Sequence, residues 1–253
     1  MISSTDYYPF TAVVGQNRLK KLLSILAVEP NLGVILIQGP DGTMKNRLTL
    51  AMCKLTDALS DSKQRSYQVI PTYEIDELST YANDISTEYI VIPSYQLLNG
   101  SIRDRLLRSW ASRNHGEISS MILLENGTTD RPDKKIDFYT VVEPITDVER
   151  RIETVKRERE YRMDNEKFCF RFKDTESTLS QRVFNARKIL SEVNVTETLK
   201  TELMEELKKR TNTDHMENTY KKVIRFACAD AAFNNRRWVS REDIESALNY
   251  INY

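Results

Sequence analysis

Cysteine, histidine and glycine are scarce in this chain, and their scarcity excludes several kinds of site. Three widely separated cysteines and two histidines in 253 residues provide no spacing of the kind that binds zinc or forms a disulfide framework. We therefore expect no metal site, no disulfides and a reducing cytoplasm. With only seven glycines in the chain, the local group Gly33, Gly39 and Gly42 is informative.

Long apolar runs and a net charge are also missing. No stretch approaches the roughly eighteen apolar residues that span a bilayer, and the first ten residues lack the basic start and apolar core of a leader. Lys+Arg and Asp+Glu both number 37, so the chain has no excess charge to neutralise many nucleic-acid phosphates. The sequence predicts a soluble protein with no membrane partner and no strong nucleic-acid signal, although local basic patches stay possible.

The first part of the chain alternates short apolar runs with helical patterns. The run Val34–Ile37 lies between two glycines and is typical of a central parallel strand covered on both faces. Four more strands are expected, at 67–71, 89–92, 121–124 and 138–142. Strands that alternate with helices predict an α/β fold with a mostly parallel sheet.

The pattern becomes wholly helical from Asp147 onward. A long charged helix begins there, further helices are expected near 176–192, 196–210 and 215–234, and a last one follows Ser240, which forms a capping-box-like start with Asp243. Pro144 interrupts the chain before this change. We therefore predict an α/β core over residues 1–145 and a helical linker and lid domain over 146–253.

The residues after the first core strand match a phosphate-loop pattern. Residues 39–46 read GPDGTMKN, in register with GxxxxGK followed by Ser or Thr, and the order of strand, glycine turn and helix is the one that this motif requires. Such a loop directs backbone amides and a helix N-terminus at phosphate oxygens, while its lysine, here Lys45, reaches the terminal phosphates. The plainer alternative is that Gly39 and Gly42 form only a strand-to-helix turn.

The positions that would serve magnesium and hydrolysis depart from the pattern. Met44 stands at the second glycine of the motif, and Asn46 stands at its magnesium-binding hydroxyl. Phosphoryl transfer of this kind also needs a carboxylate at the end of a neighbouring strand, where this chain has Pro93–Ser94. We therefore expect weak nucleotide binding, little hydrolysis and no catalytic residues.

The opening of the chain resembles the AAA+ modules of magnesium-chelatase I and D subunits. Their Tyr-Pro-Phe, Val-Gly-Gln and Ala-Val-(Asp/Glu)-Pro motifs correspond here to Tyr8–Phe10, Val14–Gln16 and Ala27–Pro30. Later segments agree, with Tyr89–Leu98 in the place of the Walker B strand and residues 185–193 and 239–243 similar to the helical lid. The resemblance spans most of the chain and implies an AAA+ phosphate-loop core followed by a smaller all-helical lid domain.

The departures from this family fall on its catalytic groups. Pro93–Ser94 replaces an Asp-Glu pair, Ile136–Phe138 replaces the Asp-Arg-Phe step that supplies an arginine to the neighbouring subunit, and Asn218 falls near the sensor arginine of the lid. Asn126 corresponds to the sensor position after the fourth strand. These features resemble the degenerate AAA+ half of D subunits, which implies a non-hydrolysing partner subunit beside other AAA+ subunits in a hetero-oligomeric ring.

The loop and the resemblance together define the candidate nucleotide-binding residues: Val14, Gly15, Gln16, Gly39, Gly42, Thr43, Met44, Lys45 and Asn46. The expected ligand is ATP or ADP, weakly held, and Mg²⁺ lacks its usual ligands. Two alternatives stay open. One is a weak ATPase in which Asn46, with Asp41 or Glu125, restores magnesium binding. The other is an interaction module related to MoxR-type chaperones or to an inactive clamp-loader-like subunit.

Overall fold

A parallel β-sheet forms the centre of the first half of the molecule. The computed structural model describes residues 7–59, 66–77, 87–111, 120–127, 132–210 and 213–252. Within these ranges the sheet has five strands in the order β2-β3-β4-β1-β5, and every neighbouring pair is parallel. The strands are β1 (Val34–Gln38), β2 (Tyr67–Val69), β3 (Tyr89–Ile92), β4 (Ser120–Glu125) and β5 (Phe138–Val141). The predicted parallel sheet is confirmed, with β1 near its centre.

Helices cover both faces of this sheet, which explains why residues 34–37 of β1 and all of β3 are apolar without interruption. Ile35 and Ile37 pack into one core, with residues of α1 (Asn17–Val28) and α2 (Lys45–Asp57). Val34 and Leu36, which alternate with them, pack into a second core that includes residues of α3 (Gly100–Ala111). Since successive side chains of a strand point to opposite faces, a strand buried on both faces needs an apolar residue at every position.

The rest of the described chain is helical. It forms α4 (Val148–Met163), α5 (Asn165–Ile189), α6 (Glu197–Arg210), α7 (Thr213–Phe233) and α8 (Arg241–Leu248). The predicted start of the second of these helices near residue 176 is wrong, because Asp164 ends α4 and caps α5 by accepting a hydrogen bond from the Lys167 amide. The capping box of Ser240 and Asp243 is confirmed. Among the described helices, none combines the length and apolar character that crossing a bilayer requires.

Charged contacts attach the helical part to the starts of the strands. Arg187 of α5 forms a two-pronged ion pair with Glu88, which directly precedes β3. Lys222 of α7 pairs with Asp137, which directly precedes β5. Because the starts of parallel strands share one edge of a sheet, these contacts lie at the edge opposite the loop that follows β1.

Asp137 gives the fold a pH dependence that can be measured. It accepts a hydrogen bond from the Val34 amide at 2.8 Å, and burial raises the pKa of its carboxyl although the Lys222 ammonium opposes the shift. The folded state therefore binds the proton more tightly than the unfolded state, so the contribution of Asp137 to stability is greatest at low pH and is lost as pH rises through the folded pKa.

We expect the Tm of the unaltered protein minus the Tm of an Asp137→Asn variant to fall, becoming less positive or more negative, as pH rises from about 4 to about 7. Only the unaltered protein must ionise a buried carboxyl over this range. Thermal unfolding followed by circular dichroism measures the difference at each pH. A signed difference that is constant across the range, or that becomes more positive, would contradict this account of Asp137.

Candidate functional site

The loop between β1 and α2 has the tight backbone geometry that its glycines suggest. Gly39 has φ of +152°, and a Cβ atom placed there would lie 2.4 Å from the carbonyl oxygen of Val142, just after β5. Gly42 has φ of +83° but no atom within 4 Å of its Cβ position. Gly39 is therefore required by close packing against a neighbouring backbone, whereas glycine is favoured at position 42 only because the backbone there is left-handed.

Met44 adopts the left-handed backbone expected of the glycine that it replaces. Its φ is +66° and its ψ is 8°, and it stands at the N-cap of α2. None of the described side chains caps this end of the helix, so the first amides of α2 stay open to an anion. The loop thus keeps the turn of the motif, at a cost of about 1–2 kcal/mol for a non-glycine residue in this conformation.

Lys45 is buried beneath the loop rather than extended into solvent. Its Nζ donates to Asn126 Oδ1 at 2.7 Å and to the Pro40 carbonyl at 3.2 Å. Burial lowers the pKa of the Lys45 ammonium, and the charge of Asp41 opposes the shift. Asn126 directly follows β4, and its backbone N–H donates a hydrogen bond to Gln96 Oε1 at 3.1 Å. The structure therefore brings together the loop lysine and the residue at the predicted sensor position.

The strand that resembles the Walker B strand, β3, is followed by residues without a carboxylate. β3 ends at Ile92 and continues into Pro93–Ser94, with Ser94 in the left-handed conformation at φ of +57°. At the end of the adjacent strand β4, Glu125 is buried and accepts a hydrogen bond from Gln38 Nε2 at 2.8 Å. Asp41 and Asn46 are exposed on the loop. Glu125 and Asp41, the two carboxylates considered as substitute magnesium ligands, thus differ. Glu125 is buried between strands, whereas Asp41 is exposed to solvent.

A cleft of about 370 Å³ opens between the phosphate loop and α4. Its described lining consists of the loop and the first turn of α2, together with Thr154 and Glu158 of α4. Glu158 forms an ion pair with Arg47, whose guanidinium also lies over the Tyr8 ring, 5.3 Å from its centroid. The volume lies within the range of small-molecule sites. Sequence reasoning missed Arg47, Thr154 and Glu158, because nothing in the sequence places α4 beside the loop.

The segment Val14–Gln16 lies near the loop but not in this cleft. Gly15 and Gln16 have left-handed backbones, with φ of +67° and +55°. Gln16 Nε2 donates to the carbonyl of Glu143 at 3.0 Å, one residue after the backbone that contacts Gly39. The lining residues of the cleft include Thr43, Met44, Lys45 and Asn46 but none from 14–16. Gln16 and Gly39 therefore both lie beside residues 142–143, which follow β5.

Two other positions assigned by resemblance lie away from the loop. Asp137 is at the opposite edge of the sheet, paired with Lys222. Asn218 belongs to α7, where it is exposed, and it does not line the cleft. Within the described ranges, no group of three or more His, Cys, Asp and Glu side chains is arranged to hold a metal ion.

Comparisons with known proteins show what this chain is similar to. No family model matches the chain. The magnesium-chelatase subunit ChlI homolog of Methanocaldococcus jannaschii is 26% identical, with 95% of this chain and 83% of the relative covered. The magnesium-chelatase subunit ChlI of Olisthodiscus luteus is 21% identical, with 95% and 87% covered.

A solved structure shares the fold. The crystal structure of a protein named as a candidate ATPase from Cytophaga hutchinsonii superposes with a TM-score of 0.62 at 16% identity, covering 96% of this chain and 83% of that one. The parallel sheet, the loop after β1 and the helical C-terminal part therefore form an α/β core with following helices, in the same fold as that structure. This chain is therefore similar along most of its length to proteins named as magnesium-chelatase subunits, and it shares its fold with the solved structure.

Proposed function

We propose that this chain is a partner subunit of an AAA+ ring, of the magnesium-chelatase type or a related one, that holds ATP or ADP weakly and hydrolyses it poorly. One contrast carries the proposal. The loop around Lys45 keeps the shape that binds phosphate, whereas the strand end at Pro93–Ser94 has lost the carboxylates that hydrolysis needs.

The binding half of the proposal rests on the loop. Open amides at the start of α2 and the positive end of its dipole favour an anion. Lys45 is already directed along the loop, and a phosphate oxygen would take the place of the Pro40 carbonyl or of Asn126 as its acceptor. The cleft beside α4 offers room for the remainder of a nucleotide. The affinity is low because Met44 brings a side chain to a position where the motif has none.

We expect poor hydrolysis because the chain lacks the usual magnesium ligands. Magnesium prefers carboxylate, hydroxyl and water oxygens in octahedral geometry, and it neutralises the charge that develops during phosphoryl transfer. Asn46 offers no hydroxyl, and Pro93–Ser94 offers no carboxylate. Glu125 is bonded to Gln38 within the sheet, so its use as a metal ligand would require breaking that contact. Asp41 is exposed, so its use as a magnesium ligand would break no such contact. The weak-ATPase alternative therefore stays testable.

The proposed role in a ring is to contribute shape and coupling between subunits. The relatives named as magnesium-chelatase subunits support this role, and the resemblance to D-type subunits in the catalytic positions supports a hetero-oligomer. An interaction module of the MoxR or clamp-loader kind would use the same fold with other partners. A pull-down from the native cell, followed by identification of AAA+ proteins with intact phosphate loops, separates these assignments.

Restoring the motif tests whether the loop is a nucleotide site. In a Met44→Gly/Asn46→Thr variant, we expect magnesium–ADP to bind at least about tenfold more tightly than in the unaltered protein, equivalent to about 1.4 kcal/mol. Binding should tighten because the Met44 side chain is removed and the threonine at position 46 gives magnesium a hydroxyl ligand. Isothermal titration calorimetry measures the affinity.

The matched control carries the same two changes together with Lys45→Ala. It should lose the gain, because the lysine that contacts the terminal phosphates is gone. If the restored loop binds no better than the original, or if the gain does not depend on Lys45, the loop is only a strand-to-helix turn.

A further inference from the structure

Helix α4 is attached to the rest of the molecule by polar contacts and by the aromatic contacts of Tyr161. None of its sixteen residues is buried. Its inner side faces the phosphate-loop cleft through Thr154 and Glu158, and Arg157 donates to the Ala12 carbonyl at 2.8 Å. A helix of this length is about 24 Å long, so a long outer face is left in contact with solvent.

That outer face carries a stripe of aliphatic side chains. Val148, Ile152 and Val155 are 67%, 63% and 68% exposed. Their spacing of four and then three residues places them on one side of a helix, over two turns. Met163, 75% exposed, lies farther along the same side. Single exposed aliphatic residues are ordinary, but an aligned series of them indicates a contact surface.

Positive charges accompany the stripe. Arg159 continues it by one further turn, and Arg151 and Lys156 lie on its two flanks. Among the described residues, these three side chains form no ion pair, although Arg and Glu residues on the inner side of α4 do. Arg162 adds a fourth positive charge, with Glu158 at 3.9 Å. Glu149 is the acidic residue on this side, so the face has a clear excess of positive charge in a chain that is neutral as a whole.

We propose that the outer face of α4 (Val148, Arg151, Ile152, Val155, Lys156 and Arg159) binds an acidic amphipathic helix of a partner protein. Aliphatic residues of such a helix would cover the stripe, and its carboxylates would pair with the flanking cations. Charge complementarity of this kind sets the choice of partner and the rate of encounter. The inference goes beyond the proposed nucleotide chemistry, because it concerns the side of α4 that faces away from the cleft.

The chemistry of the face favours a protein over a lipid surface or a nucleic acid. Helices that lie on membranes insert Trp, Phe or Leu side chains, whereas this stripe has short β-branched residues at its centre. A nucleic-acid contact would place phosphates against cations and leave three aliphatic side chains without an apolar partner. An acidic amphipathic helix provides an apolar partner for the aliphatic residues and carboxylates for the cations.

A designed peptide tests the proposal directly. The probe is a fluorescein-labelled 18-residue helical peptide with leucines at i, i+4, i+7 and i+11 and glutamates on both flanks. We expect fluorescence polarisation to show binding that weakens at least tenfold in Ile152→Asp and in Lys156→Glu/Arg159→Glu, and that weakens with added salt. Lys208→Glu, an exposed charge reversal on α6, is the matched control and should bind like the unaltered protein.

Further measurements make the result decisive. Circular dichroism and Tm should be unchanged in every variant, because the substituted side chains are exposed, and ADP affinity should also be unchanged. A scrambled peptide of the same composition that binds equally well would overturn the proposal. So would Ile152-dependent sedimentation with phosphatidylserine vesicles in the absence of peptide binding, or self-association of the chain that Ile152→Asp abolishes.

Discussion

Replacement of Gly39 by alanine is expected to destabilise the folded chain by about 3 kcal/mol, which corresponds to a fall in Tm of about 6–12 °C for a protein of this size. The added Cβ would lie 2.4 Å from the carbonyl oxygen of Val142, and φ of +152° is unfavourable for any side chain. Neither partner can easily move, since β1 and β5 are hydrogen-bonded neighbours. The loss should occur without any nucleotide, because it arises from packing inside the protein.

Gly42→Ala is the matched control for this prediction. Gly42 has a left-handed backbone but open space around its Cβ position, so its replacement should cost only about 1 kcal/mol. Chemical denaturation of both variants, each analysed for the change in the free energy of unfolding, gives the comparison. Equal losses in the two variants would contradict the role assigned to the contact between Gly39 and Val142.

Replacement of Arg187 by alanine is expected to cost about 3 kcal/mol of folding stability. Both terminal nitrogens of its guanidinium donate to Glu88 at 2.8 Å, and its Nε donates to the Ala27 carbonyl at 2.7 Å. Both side chains of the pair are about one quarter exposed, so removal of the arginine leaves a largely desolvated carboxylate without its partner. The contact joins α5 to the start of β3, and its loss should also loosen the helical part from the core.

The control for Arg187→Ala is Arg241→Ala. Arg241 also pairs with a glutamate, Glu202, but its side chain is 69% exposed, and exposed pairs contribute little. Denaturation should therefore show a loss several times larger for Arg187 than for Arg241. Native-state hydrogen exchange adds a second readout, since amides of α5 should exchange faster in Arg187→Ala. Similar losses in both variants would mean that Arg187 is not a specific attachment point.

Much of the fold is predictable from sequence because the central strands are buried on both faces. A strand such as Val34–Gln38 or Tyr89–Ile92 then has no polar position in its interior, and the resulting apolar run between turn residues is a strong local signal. The start of α5 was harder to predict. Residues 165–175 mix charges with Phe168, which is buried, and Phe170, which is exposed, so their periodicity is weak without knowledge of the neighbouring helices.

The candidate site is predictable only where it is local in sequence. The loop residues follow one another, so their pattern identifies them directly. Arg47 and Glu158 are 111 residues apart, and only the position of α4 brings them together. Met44 is a different case, because a local rule favours glycine at its position, yet the chain adopts the left-handed turn with a methionine. Such exceptions concentrate at functional or formerly functional positions.

The rate of ATP hydrolysis by the purified chain, compared with that of its Lys45→Ala variant, tests the central claim most directly. In the proposed function the loop around Lys45 binds phosphate, whereas β3 is followed by Pro93–Ser94, which provide no carboxylate for magnesium. We therefore expect phosphate release at background level from both proteins in the presence of magnesium. A brisk release by the unaltered chain that disappears in Lys45→Ala would contradict the account and identify the protein as an active ATPase.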